Sequence, residues 1–270
     1  MTEGVRLTSD WMAIVRRNET AHPDAYHRDP CATAFVTPES EASMAAFPAD
    51  PPSMVVPIRA RLGDETLLMS GVRQAVCLGA GSDARPYRLP VDHDLHYFDV
   101  DLPGHLAGKA ELLAAAGFRP RCRIADVEAD LRGDWASPLL AAGFDPSVAT
   151  HWIADGLFYY LTPGEADTLM DTLSALAAAG SWLTFDAPHD SFMADPALAG
   201  FHAAMRARGA EFVGSFADPV GWLARRGWRG QAVTTAELSM GRCAWLPPLP
   251  ARLRTNWELW LARATIGTPT

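Results

Sequence analysis

Lysine is nearly missing from the chain. Lys109 is the only one in 270 residues, and arginine supplies the rest of the 23 basic side chains. Against 32 acidic side chains this leaves a formal net charge of −9, with basic residues gathered no further than short pairs. No extended cationic face is available, which argues against nucleic acid or an anionic membrane as a partner. Cysteine is scarce as well: Cys31, Cys77, Cys122 and Cys243 stand apart, without a Cys-x-x-Cys pair. That spacing fits neither a disulfide framework nor a zinc site, so no metal is expected and a reducing cytoplasm is the expected compartment. No stretch reaches about 18 apolar residues, and the start carries Glu3, Arg6 and Asp10 rather than a signal-peptide core. Internal repeats and long linkers are lacking too. The remainder is ordinary for a soluble chain with a sizeable core, at 49% hydrophobic and 20% charged. A length of 270 residues suits one large α/β domain, or one with an elaborated cap.

Residues 72–101, VRQAVCLGAGSDARPYRLPVDHDLHYFDVD, organise the chain. Val76, Cys77 and Leu78 form a short apolar run that stops at Gly79-Ala80-Gly81. Such a run reads as a buried parallel strand feeding a tight turn, where glycine admits positive φ and close approach of a ligand. About twenty residues on, Leu95–Phe98 runs into Asp99-Val100-Asp101. A carboxylate at the tip of the neighbouring strand is placed to accept both hydroxyls of a ribose. The pattern is half of a nucleoside site, and Gly79-x-Gly81-x-x-Ala84 leaves NAD and S-adenosylmethionine (SAM) both open.

Around that stretch, apolar runs alternate with helical periodicity. Helices are expected over 5–20, 54–70, 104–117, 135–142 and 163–179, the last opening on Thr162-Pro163-x-Glu165. Strands are expected near 121–125, 148–154 and 181–185, with a final antiparallel strand in TNWELWLARATI. Two further helices, about 195–208 and 217–226, fill the segment between, with Trp222, Leu223 and Trp228 as core. Alternation of this kind implies an α/β fold, a mostly parallel sheet with helices on both faces. Ligands then lie beyond the carboxyl ends of the strands, where Gly79, Asp101, Asp130 and Asp155 fall. Arg16-Arg17 and Arg59 precede the first strand; the pair reads as a solvated helix end, and Arg59 as surface charge or as a fork for an anionic group.

The chain resembles the leucine carboxyl methyltransferase family, including its bacterial polyketide O-methyltransferase-like branch. The resemblance is carried by RRNE at 16–19, RDP at 28–30, IRARLGDE at 58–65, CLGAGSDARPYRL at 77–89 and YFDVDLP at 97–103. It continues with ADLRGDW at 129–135, IADGLFYYLTPGEADTLMDTL at 153–173 and GSWLTFD at 180–186, all in order. The last third is only weakly similar. The resemblance implies a SAM-dependent O-methyltransferase that releases S-adenosylhomocysteine (SAH), on a seven-stranded Rossmann-like sheet. It also implies a helical cap over residues 1–70 and a core over 71–270 with an insertion at about 187–228, in one structural domain. Arg16 and Arg59 would then meet the methionine carboxylate of the cofactor. Gly79, with Ala80 and Gly81, would approach it through backbone, Asp101 would hold the ribose, and Asp130 and Leu131 would face the adenine. Asp155, with Gly156 beside it, stands near the amino group where the family usually has glutamate, one methylene longer. Tyr160 would shape the methyl site.

Methyl transfer from a sulfonium is an in-line displacement that needs no base when the acceptor is already a carboxylate. A phenol or alcohol would need one, with His151, His189 or His202 as candidates. The expected acceptor is a small secondary metabolite, held in a pocket built from residues 31–56 and 187–216. Met44, Phe47, Phe192, Met193, Phe201, Met205 and Phe212 are candidates for its lining. A protein acceptor, the oligomeric state, and a SAM-binding role without methyl transfer stay open on sequence.

Overall fold

In the computed structural model the described residues are 3–47, 53–91 and 94–267, with side chains described from Thr8 onward. Residues 48–52 of the expected pocket segment lie outside them. Three helices precede the sheet: α1 (Glu3–Ala21), α2 (Pro38–Ala45) and α3 (Val55–Ser70). The strands are β1 (Gln74–Leu78), β2 (His96–Asp101), β3 (Arg123–Glu128) and β4 (Thr150–Ala154), then β5 (Trp182–Pro188), β6 (Trp228–Thr234) and β7 (Leu259–Ile266). Between them run α4 (Arg85–Arg88), α5 (Lys109–Ala115), α6 (Ala136–Ala141) and α7 (Pro163–Leu176). The segment after β5 holds α8 (Asp190–Ala194), α9 (Ala199–Ala207) and α10 (Pro219–Ala224), and α11 (Thr235–Ser239) follows β6.

The seven strands form one sheet in the order β3-β2-β1-β4-β5-β7-β6. β7 runs antiparallel to both β5 and β6, and the other neighbours pair in parallel. The chain winds outward through β1, β2 and β3, then returns to start β4 on the other side of β1. That reversal is the switch point at which open α/β sheets leave a crevice.

Every residue of β1, β2 and β4 is buried, as helices on both faces demand of central parallel strands. The pleat divides them between two cores. Val76, Leu78, Phe98, Val100 and Trp152 join Leu169, Leu173 and Trp222 on one face. Ala75, Cys77, Tyr97 and Ile153 join Leu67 and Leu89 on the other. The expected capping box opens α7: Thr162 N–H donates to Glu165 Oε2 at 2.8 Å, and Glu165 N–H to Thr162 Oγ1 at 3.4 Å.

Two readings of the periodicity shift. The third strand lies at 123–128 rather than 121–125, because on this outer strand only Val127 is fully buried and the apolar pattern is faint. The segment 217–226 yields only the six-residue α10, and Trp228 opens a strand instead. Arg229, Gly230 and Gln231 break the apolar alternation of β6, which takes its register from β7.

Candidate functional site

The site starts from the turn after β1. Gly79 and Gly81 take φ of +71° and +44°, a region side chains rarely adopt. The turn is tied to β2: Gly79 N–H donates to Val100 O at 2.8 Å, and Gly81 N–H to Asp101 Oδ2 at 2.7 Å. Asp101 Oδ1 accepts from Leu102 N–H at 2.7 Å and lies 3.1 Å from His105 Nδ1. Three of the roughly four acceptor directions of this carboxylate are used, and a ribose hydroxyl reaches it by taking the fourth or by displacing the histidine.

Beyond the strand ends lies a cavity of about 250 Å³. Gly79, Ala80, Gly81 and Asp101 line one side of it, and Asp155, Gly156 and Tyr160 from the end of β4 line another. Arg16 from α1 and Arg59 from α3 also line it. Nine sequence-read positions thus meet at one cavity. Asp130 and Leu131 are not part of its lining: Asp130 is half-exposed and pairs with Arg132 at 2.6 Å, and Leu131 is buried in the core.

The two arginines differ. Arg16 donates through Nε to Asp29 at 2.9 Å and through Nη2 to the carbonyl and hydroxyl of Ser82, each at 2.9 Å. Ser9 Oγ on the same helix accepts from Ser82 N–H at 3.0 Å, so α1 is fastened to the glycine turn. Arg59 Nη1 donates to Asp186 at 3.0 Å, while no acceptor among the described residues meets its Nε or Nη2.

Beneath the turn is a buried charge network that sequence reasoning did not single out. Arg85 is 1% exposed; it donates to Asp64 at 2.8 Å and Asp155 at 2.7 Å, and also pairs with Asp83. Arg88 and His27 complete the shell of Asp64. Burial alone would raise the Asp64 carboxyl, but Arg88, His27 and Arg85 more than offset it and hold the group well below the usual carboxylate range. Asp155 moves the other way: burial raises it, against the pull of Arg85 and Arg59. The lone lysine, Lys109, is buried against Asp99 at 2.7 Å. Burial still pushes the Asp99 carboxyl up to about 6. Cys77, Asp83 and Asp99 come within 4.8 Å of one another, yet the cations beside them are Lys109 and Arg85.

The far wall is apolar. Trp11, Met12, Val56, Phe201, Met205 and Phe212 line it, all but Val56 belonging to one packed cluster. Of the candidates for this lining, Met44, Phe47, Phe192 and Met193 are not part of it; Phe47 stands behind, 5.0 Å from Trp11 and 5.8 Å from Phe201. None of the three candidate base histidines lines the cavity. His151 is fully buried against Thr184, and burial depresses it to about 3. His189 caps α8, and His202 sits among Phe192, Phe201 and Phe212.

The donor set fits a nucleoside that ends in an amino acid. It offers a carboxylate for vicinal hydroxyls, a second carboxylate for an ammonium, and a guanidinium for a carboxylate, around a turn that lets backbone approach.

Comparison with known proteins gives the family. The model of the leucine carboxyl methyltransferase family matches residues 10–174. A relative from Parafrankia is 33% identical across 98% of this chain and 88% of its own length. One from Streptomyces avermitilis is 36% identical across 91% of each. Both are named among the S-adenosyl-L-methionine-dependent methyltransferases. In structure, a Thermobifida fusca protein described as a methyltransferase superposes with a TM-score of 0.57 at 17% identity, covering 95% of this chain and 94% of that one. A Streptomyces avermitilis protein of the DUF574 family gives 0.59 at 17% identity, covering 94% and 96%. At such identities these two structures speak to the fold alone.

Proposed function

Because the chain belongs to the leucine carboxyl methyltransferase family and is a SAM-dependent methyltransferase, we propose that it methylates an oxygen of a small molecule, a carboxylate in preference to a hydroxyl. Family membership sets aside the NAD reading. Bound SAM supplies an electrophilic methyl group. In this proposal Asp101 holds the ribose, Asp155 and Gly156 meet the amino group, and Arg59, with Arg16, meets the carboxylate. Asp130 and Leu131, which stand off the cavity lining, are not assigned to the adenine in this proposal, and Tyr160 bounds the methyl site. Residues 1–70 act as a cap, and the segment after β5 supplies the acceptor wall.

One observation supports the preference for a carboxylate: among the described residues, the three candidate histidines lie off the cavity and the phenols and thiol that line it are held protonated. Tyr159 hydroxyl donates to Asp186 at 2.8 Å, and burial raises its phenol well above the ordinary value. Tyr160 hydroxyl lies 3.3 Å from Thr8 Oγ1, and burial raises it too. Burial raises the Cys77 thiol, and His105, 3.1 Å from Asp101 through Nδ1, stands in this proposal at the ribose rather than at the methyl site. An acceptor that arrives as an anion needs only position and exclusion of water, both of which the aromatic wall provides. The apolar lining suits an aromatic or alkyl acid of the secondary-metabolite kind, and a protein terminus is an alternative carboxylate source.

Matched acceptors test this. Aryl and alkyl acids, with the phenols and alcohols of the same skeletons, are incubated with SAM and read by mass spectrometry. Acids are expected to gain one methyl group in an ester that mild base removes. Methylation confined to the phenols or alcohols contradicts the proposal.

A further inference from the structure

Asp186, near the end of β5, is fully buried and has no part in the contacts proposed above. We propose that Asp186 is a positioning residue that holds the Arg59 guanidinium against the cavity wall, oriented to receive the carboxylate end of the cofactor. The proposal rests on the reading of Arg59 given under the proposed function.

Three donors converge on this carboxylate. Gly156 N–H reaches Oδ1 at 2.6 Å, while Tyr159 hydroxyl at 2.8 Å and Arg59 Nη1 at 3.0 Å share Oδ2. Asp186 itself cannot drift. Phe185 before it pairs with Ala154 of β4, and Asp186 pairs with Leu261 of β7, so its backbone is fixed from both sides. Gly156 lies against the Nη1–Nη2 end of the guanidinium. That residue has φ +71°, and a Cβ built on it would lie 2.8 Å from both Nη1 and Nη2. Only a residue without a side chain leaves room for the guanidinium there.

Arginine on a helix carries several rotatable bonds, and ordering it on ligand binding costs affinity. Here one edge of the fork is already anchored and desolvated, while Nε and Nη2 meet no protein acceptor among the described residues. An anchored fork with donors in reserve presents a directed site for a carboxylate. Arg16 lacks this arrangement, since its Nε and Nη2 are spent on Asp29 and Ser82. The sharp selection therefore falls on Arg59, and through it on Asp186.

The test compares two ligands that share a nucleoside. SAH has the amino-acid end and 5′-methylthioadenosine lacks it. Asp186→Asn keeps the volume, but its amide nitrogen cannot accept from Arg59 while its oxygen serves Gly156. Calorimetry should show SAH binding weakened by about tenfold or more, as for loss of an oriented charge-assisted hydrogen bond, with 5′-methylthioadenosine unchanged. Equal weakening of both ligands, or no change in either, overturns the proposal. Arg59→Ala is measured in parallel. If it spares the preference for SAH, the reading of Arg59 fails and this proposal with it. If it removes that preference while Asp186→Asn does not, only the positioning role falls. Should Asp186→Asn lack a folded thermal transition, Asp186→Glu replaces it, which keeps the charge but shifts it by one methylene. The same selective loss for SAH is then expected, and equal loss for both ligands overturns the proposal.

Discussion

Arg85 stands where Asp64, Asp83 and Asp155 converge, with no water-facing surface of consequence. Buried ion pairs of this kind add little over apolar packing, but deleting one partner leaves the others buried and uncompensated. Arg85→Met should therefore cost about 3–5 kcal/mol in chemical denaturation. A loss below ~1 kcal/mol would mean that the network relaxes into solvent, as exposed pairs do. This residue also marks a limit of sequence reading. Gly79 and Asp101 were legible because one local segment holds the apolar run, the glycines and the acid at the next strand tip. Arg85 sits inside the same segment, yet its partners at 64 and 155 belong to other elements, and nothing local announces them. Asp186 was visible as the end of a strand, but its partner Arg59 lies 127 residues away.

The contact between α1 and the glycine turn belongs to the scale of elements. A Cβ on Gly81, whose φ is +44°, would fall 2.5 Å from Ser9 Oγ. Gly81→Ala should then lower stability by about 1–3 kcal/mol through backbone strain, and displace α1 as well. Adding Ser9→Gly should restore the steric part and leave the strain, a coupling that a double-mutant cycle reads directly. Strict additivity of the two changes would contradict this account of the latch. Strong signals place some elements well: the Thr162 capping box and the buried β4 sit close to where their patterns put them, whereas the alanine-rich segment expected as a helix over 104–117 forms only the shorter α5. β6 escaped because Arg229, Gly230 and Gln231 interrupt its apolar alternation, and its place comes from pairing with β7. The cavity's aromatic wall was half legible for a similar reason. Phe201, Met205 and Phe212 line it while Phe192 and Met193 do not, and packing between elements makes that choice.

Over the whole molecule, the charge network predicts how stability follows pH. The Asp64 carboxyl is held far below its ordinary value of 3.8, so the folded state loses protons more readily than the unfolded chain. Its contribution is complete above 3.8 and is lost as pH falls below it. Urea midpoints measured from neutral to acid should fall steeply in the wild type and less steeply in Asp64→Asn; parallel curves would remove Asp64 as the cause. Among the described residues no helix is long and apolar enough to cross a membrane, and the cavity beyond the strand ends gathers nine of the positions that the sequence singles out. The most direct test of that placement is calorimetric titration with SAM, SAH and NAD, using Asp101→Ala as the comparison. SAM and SAH should bind, NAD should not, and the substitution should weaken both sulfur nucleosides by about tenfold or more through lost ribose contacts. SAM binding left intact in Asp101→Ala would show that the cofactor site lies elsewhere.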